Sequence, residues 1–153
     1  MEKLLLAGLV VMTSVIGAVH ADDKSDVQAV FDAMVAANNA NDMDKEQALY
    51  LPEATGFAEN GGPLEADFNW DRAREIIKNG GKWGFKYGKT DIAVHGSTAV
   101  VTGYRKGYWQ TPDGFKGEGM GRFTYVLSKQ EGDWKCVHRH YSHGVFIPVE
   151  QDE

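Results

Sequence analysis

Cysteine is nearly absent from this sequence: its 153 residues hold one, Cys136. No disulfide can form within the chain, so the core must hold by packing alone. Proline is scarce as well, at four residues, which leaves long stretches free to run as helix or strand. Positive charge is outnumbered, with 16 Lys and Arg against 22 Asp and Glu and a net charge of −6. Such a mildly acidic chain lacks the electrostatic footprint of a nucleic-acid-binding protein. Neither a nucleophile elbow nor a phosphate loop is present. The triplet Gly117, Gly119, Gly121 has the wrong spacing for phosphate and sits inside a strand pattern. No repeat and no low-complexity segment is visible.

What is there begins with a leader pattern. Lys3 supplies a positive start, Leu4 to Ile16 is an apolar run too short for a spanning helix, and Val19-His20-Ala21 offers small residues at the cleavage positions. Residues 1–21 therefore read as a signal peptide cut before Asp22, and residues 22–153 as one domain. The expected location is the periplasm or the medium, with no stable membrane anchor after processing.

Ser25-Asp-Val-Gln28 reads as a capping box. Val27, Val30, Phe31, Met34 and Val35 then recur at helical spacing, giving an amphipathic helix to about Asn41. Asp44 is placed to cap a short helix, Lys45 to Tyr50, which Pro52 stops. Ala54 to Glu59 reads as a strand. A third helix begins near Asn69 and ends at Asn79-Gly80-Gly81. From Trp83 onward the period changes to two. Trp83 to Tyr87 and Asp91 to Val94 form one interrupted strand or two short ones. Ala99 to Trp109, Phe115 to Ser128 and Trp134 to His143 follow, separated by turns at Thr111-Pro-Asp-Gly114 and Gln130-Glu-Gly-Asp133. Helices followed by a meander of antiparallel strands is an α+β order. The glycines at 103, 107, 117, 119 and 121 read as bulges or bends, from which a sheet curls into a cone with an open mouth.

The last strand, Trp134 to His143, has chemistry on both faces. Strict alternation puts Trp134, Cys136, His138 and His140 on one side and Lys135, Val137, Arg139 and Tyr141 on the other. Cys136 reads as a small buried apolar residue rather than a nucleophile. The two histidines point the same way, but zinc needs a third protein ligand and a second shell, and neither is evident. No metal and no cofactor is expected.

With Asn41-Asp-Met-Asp44, Ala54-Thr-Gly-Phe57-Ala-Glu59, Gly121-Arg122-Phe-Thr-Tyr-Val126, Gly132-Asp-Trp134 and Val137-His-x-His140-x-Ser142 in this order, the chain from Asp26 to about Gly144 resembles the nuclear transport factor 2-like superfamily. Its SnoaL-like domains and the association domain of calcium/calmodulin-dependent protein kinase II are the branches it is most similar to. The resemblance implies a cystatin-like cone, a strongly bent antiparallel sheet wrapped around N-terminal helices. It also implies a cavity between sheet and first helix, and a homodimer through the outer sheet surface. In the kinase domain arginines enter the cavity from three strands. The resemblance sets Arg105 and Arg122 at two of those positions and Tyr141 at the third. It makes the His-x-His a feature of the fold rather than of a reaction.

Two guanidiniums converging in a desolvated cavity hold a carboxylate by paired hydrogen bonds. The expected function is thus binding of a small anionic or carboxylate ligand by Arg105, Arg122 and Tyr141, with Trp70 and Tyr104 lining the cavity. Two other readings stay open. One is a cofactor-free isomerase, lyase or hydratase of the ketosteroid isomerase type, for which Glu118 and Glu59 are the candidate bases and a tyrosine the acid. The other is an oligomerisation module with no ligand.

Overall fold

In the computed structural model, residues 21–58, 61–66 and 68–143 are described. The leader expected over residues 1–21 and the candidate base Glu59 fall outside them, apart from Ala21. The order is α1 (Ala21–Ala40), α2 (Met43–Gln47), β1 (Tyr50–Phe57), β2 (Glu65–Ala66), α3 (Trp70–Lys78), β3 (Lys82–His95), β4 (Thr98–Gln110), β5 (Lys116–Gln130) and β6 (Asp133–His143). The strands form one strongly curved, open sheet of six in the order β2-β1-β6-β5-β4-β3. This is the expected α+β cone, with one change in pairing. β3 to β6 are an antiparallel meander, but β1 joins β6 in parallel.

The apolar stripe of α1 does what its spacing dictates. Val27, Phe31, Met34 and Ala37 are buried against the concave sheet face. Phe31 stacks on Phe123 with ring centroids 5.6 Å apart and meets Tyr87 and Tyr125 edge-on at 5.4 and 5.9 Å. The helix includes residues before Ser25, so the serine lies within it and does not cap it. At the other end, Asn39 and Asn41 act as substitute strand partners for the edge strand β3. Asn39 Oδ1 accepts from the Phe85 amide (2.6 Å) and its Nδ2 donates to the Phe85 carbonyl (2.9 Å). Asn41 does the same to Trp83 (3.0 and 2.7 Å). The turn-forming character of this run was legible. Its second use, blunting a sheet edge, depends on tertiary placement.

The second helix starts two residues earlier than expected. Asp42, not Asp44, caps it by accepting from the Lys45 amide at 3.1 Å. The chain turns extended at Tyr50, and β1 runs through Pro52. The β1–β6 register shifts between Tyr50 and Thr55, the irregular stretch in which a strand tolerates proline. Asn69 caps α3 by accepting from the Arg72 amide at 2.9 Å, and Gly80 follows its end at φ +92°.

The glycines of β4 and β5 are not bulges, because the two strands pair without a register shift. Those at 103, 107 and 117 seat rings instead. A Cβ on Gly103 would lie 2.9 Å from two ring atoms of Phe123, and one on Gly107 would strike the Phe85 ring. The bulges lie elsewhere. One falls between Gly88 and Asp91 in β3, where Lys89 adopts φ +47°. The other falls at Val137 in β6, where Val126 pairs with His138 and Leu127 with Cys136, leaving Val137 unopposed. That second bulge decides the functional site.

Candidate functional site

An extra residue in a strand reverses the alternation beyond it. Before Val137, Trp134 and Cys136 face the core at 3% and 0% exposure. After it, the inward residues are Arg139 and Tyr141, while His138 and His140 turn outward. The expected grouping of Trp134, Cys136, His138 and His140 on one face is thereby corrected. His138 Nδ1 lies 2.9 Å from Thr55 Oγ1 on β1, and the Phe57 ring packs beside both histidines. Burial and the neighbouring His140 hold His138 below its ordinary pKa. Burial pushes the Cys136 thiol up to about 12, which keeps it protonated and inert.

Arg139 and Tyr141 face a cavity of about 440 Å³ bounded by the end of α1, by α2, by the segment leading into α3, by α3 itself, and by β3, β4 and β6. That volume falls within the roughly 300–1,000 Å³ usual for small-molecule sites. Trp70, Trp83, Phe85 and Trp109 supply aromatic walls, and Arg72, Arg105 and Arg139 bring guanidiniums to it. Arg105 is 6% exposed and sandwiched, its Cζ 4.1 Å from the Phe85 ring centre and 3.6 Å from that of Tyr141. Arg139 lies 3.9 Å above the Phe68 ring. Stacking on rings fixes the plane of each guanidinium.

The acidic side of the cavity is Glu46, on α2. It is 2% exposed, accepts from Asn38 Nδ2 at 2.9 Å, and has Oε1 3.8 Å from Arg139 Nη1. Glu65 flanks Arg139 at 3.8 Å from the other side, nearer solvent. Burial raises the Glu46 pKa. Arg139 and the Asn38 hydrogen bond pull it back only in part. The Tyr141 hydroxyl lies 2.5 Å from that of Tyr125, which in turn is 3.5 Å from the Tyr87 hydroxyl. Burial holds the Tyr141 phenol well above its usual pKa, so it stays a donor.

Three of the five expected ligand residues, Arg105, Tyr141 and Trp70, line this cavity. Arg122 and Tyr104 do not. They are cross-strand partners on the outer face, both exposed, and Arg105 itself pairs with Gly121. Adjacent register positions look to opposite faces, so Arg105 and Arg122 cannot enter one cavity together. Glu118 is also outward and exposed, 3.9 Å from Lys106 Nζ.

Residues 27–148 match the SnoaL-like domain profile. The chain belongs to the SnoaL-like domain family. Solved structures of similar fold include a nuclear transport factor 2-like superfamily protein from Salmonella enterica serovar Typhimurium (20% identity, 87% of this chain and 99% of that one, TM-score 0.68). A protein with a cystatin-like fold from Caulobacter vibrioides is another (16% identity, 82% and 92%, TM-score 0.67). The association domain of calcium/calmodulin-dependent protein kinase II from C. elegans is a third (20% identity, 79% and 95%, TM-score 0.62). At these identities the likeness establishes the fold. No curated protein is a match for the chain.

Within this SnoaL-like domain, sequence reasoning missed Glu46 and Arg139. A signal for Arg139 was present: it shares strand parity with Tyr141, so placing Tyr141 in the cavity places Arg139 there too. Glu46 gave no comparable signal. A glutamate in a five-residue helix reads as solvated surface.

Proposed function

We propose that this SnoaL-like domain binds a small aromatic carboxylate, held by Arg105 and Arg139. The observation that carries this reading is the pair of ring-stacked guanidiniums on one wall of one cavity. Arginines with their planes fixed, Arg105 buried and Arg139 half-buried, are suited to an anion with two oxygens, and the tryptophan and phenylalanine walls suit a flat apolar body. Isothermal titration with benzoate tests it, with benzamide as the neutral match. Benzoate is expected to bind saturably and raise the melting temperature, since a ligand at 100 times its Kd adds about 2.7 kcal/mol to stability. Arg105→Met is expected to weaken benzoate roughly tenfold or more, the value of a charged hydrogen bond. Equal binding of benzamide, or no binding of benzoate, would remove the reading.

The domain is further proposed to be exported and to work as a homodimer through the outer sheet face. The leader pattern of residues 1–21 supports the first. Tyr104, Tyr108 and Met120, exposed together on β4 and β5, support the second. Light scattering on the mature chain is expected to give twice the chain mass, and a monomer would count against the pairing.

A further inference from the structure

Glu46 sits where an anion must go. It lines the cavity, it is 2% exposed, and its Oε1 faces the same Arg139 guanidinium that the proposed carboxylate requires. Two anions cannot share one desolvated guanidinium without cost: like charges a few ångströms apart in a buried site do not both stay ionised. We propose that Glu46 is the charge-selecting residue of the cavity: it takes up a proton as a monoanionic ligand enters, so that the site binds one negative charge together with one proton and rejects dianions. The inference rests on the anion-binding reading.

The surroundings assign the proton to Glu46. Asn38 from α1 donates to its Oε2. Arg139, Tyr141 and Cys136 face it from β6, Tyr50 from β1 and Arg105 from β4. The cysteine and both phenols are already neutral, with pKa values raised by burial. The arginines keep their charge. Among the described residues lining the cavity, the one other carboxyl is Glu65, whose side chain is 45% exposed and keeps its own solvation. No histidine is among the described residues that line the cavity. Among the described carboxyls of the wall, Glu46 is thus the one that burial has moved toward protonation. An entering carboxylate draws Arg139 away from it and adds a negative neighbour, and both effects raise its pKa further. Once neutral, its O–H becomes a donor beside the ligand.

The sign follows from linkage. The liganded state holds more protons than the free state, so affinity rises as pH falls between the bound-state and free-state pKa values of Glu46. Below the free-state value affinity is flat.

Benzoate titration in buffers of different ionisation enthalpy reads the proton count directly. Uptake approaching one proton is expected at the pH where affinity changes most steeply, with affinity there rising by up to about tenfold per unit fall in pH. Glu46→Gln keeps the shape and the Asn38 contact but carries no charge. It is expected to bind benzoate several-fold more tightly than wild type near neutral pH, with no proton uptake and a flat pH profile. Phthalate, a dianion of the same ring, is expected to bind wild type at least tenfold more weakly than benzoate. Zero uptake on wild type, or a Glu46→Gln variant that binds more weakly than wild type, would overturn the charge-selecting role while leaving benzoate binding intact. Absence of any benzoate heat would instead remove the anion-binding reading beneath it. The wild-type proton count stands without the variant if Glu46→Gln does not fold.

Discussion

Replacing Phe31 by alanine is expected to cost about 3–5 kcal/mol of unfolding free energy, the range for large-to-small changes of a buried aromatic. Phe31 is 3% exposed and is the residue through which α1 engages three rings of the sheet, Tyr87, Phe123 and Tyr125. Alanine removes the ring and leaves a void that neighbouring rings cannot close without giving up their own edge contacts. With no disulfide within the chain, the packing of α1 is held by this stripe and by a few polar ties, such as Lys129 Nζ to Asp23 Oδ1 at 2.6 Å. Urea denaturation measures the loss as a lowered midpoint. The same substitution should weaken benzoate binding, because Asn38, which orients Glu46, is carried on the last turns of α1. A loss below about 1 kcal/mol would mean that α1 is held mainly by its asparagine contacts to β3.

The fold was legible because its signals are local and redundant. The α1 stripe, the Asn69 cap, the Gly80 stop and the hairpins after Gln110 and Gln130 each follow from residue chemistry within a few positions. What stayed hidden depends on pairing. One unopposed residue, Val137, decides which side chains of β6 meet the cavity, and nothing in Cys136-Val-His138 announces a bulge. Arg105 and Arg122 look equivalent in sequence, yet the β4–β5 register sets them on opposite faces. The parallel β1–β6 pairing brings α2, and with it Glu46, over the end of the cone, a contact between residues about ninety positions apart. Alternation is a reliable guide along one strand segment. It carries no information across a bulge or between strands until the register is known.

Arg139→Met should destabilise the domain in a way that acid relieves. The substitution keeps an apolar stem against Phe68 but removes the nearer guanidinium from buried Glu46, leaving it only the weaker pull of Arg105. Removing one partner of a buried ion pair costs about 3–5 kcal/mol, because the remaining charge has lost its water and its counterion together. The pH dependence identifies the cause. In the wild type the folded-state pKa of Glu46 is already raised above its ordinary value of 4.5. Its contribution to stability is therefore fully present below that value and is lost as pH rises through the folded one. Without Arg139 the folded value climbs further, so the variant keeps losing stability over pH where the wild type has levelled off. Melting curves of the two proteins should converge as pH falls toward and below about 4.5, leaving only the lost stacking of Arg139 on Phe68. Near neutral pH they should stand furthest apart. Adding Glu46→Gln to Arg139→Met removes the stranded charge and should recover most of the loss near neutral pH and little of it in acid. A deficit of the same size at every pH, untouched by the second substitution, would show that Arg139 acts through packing alone.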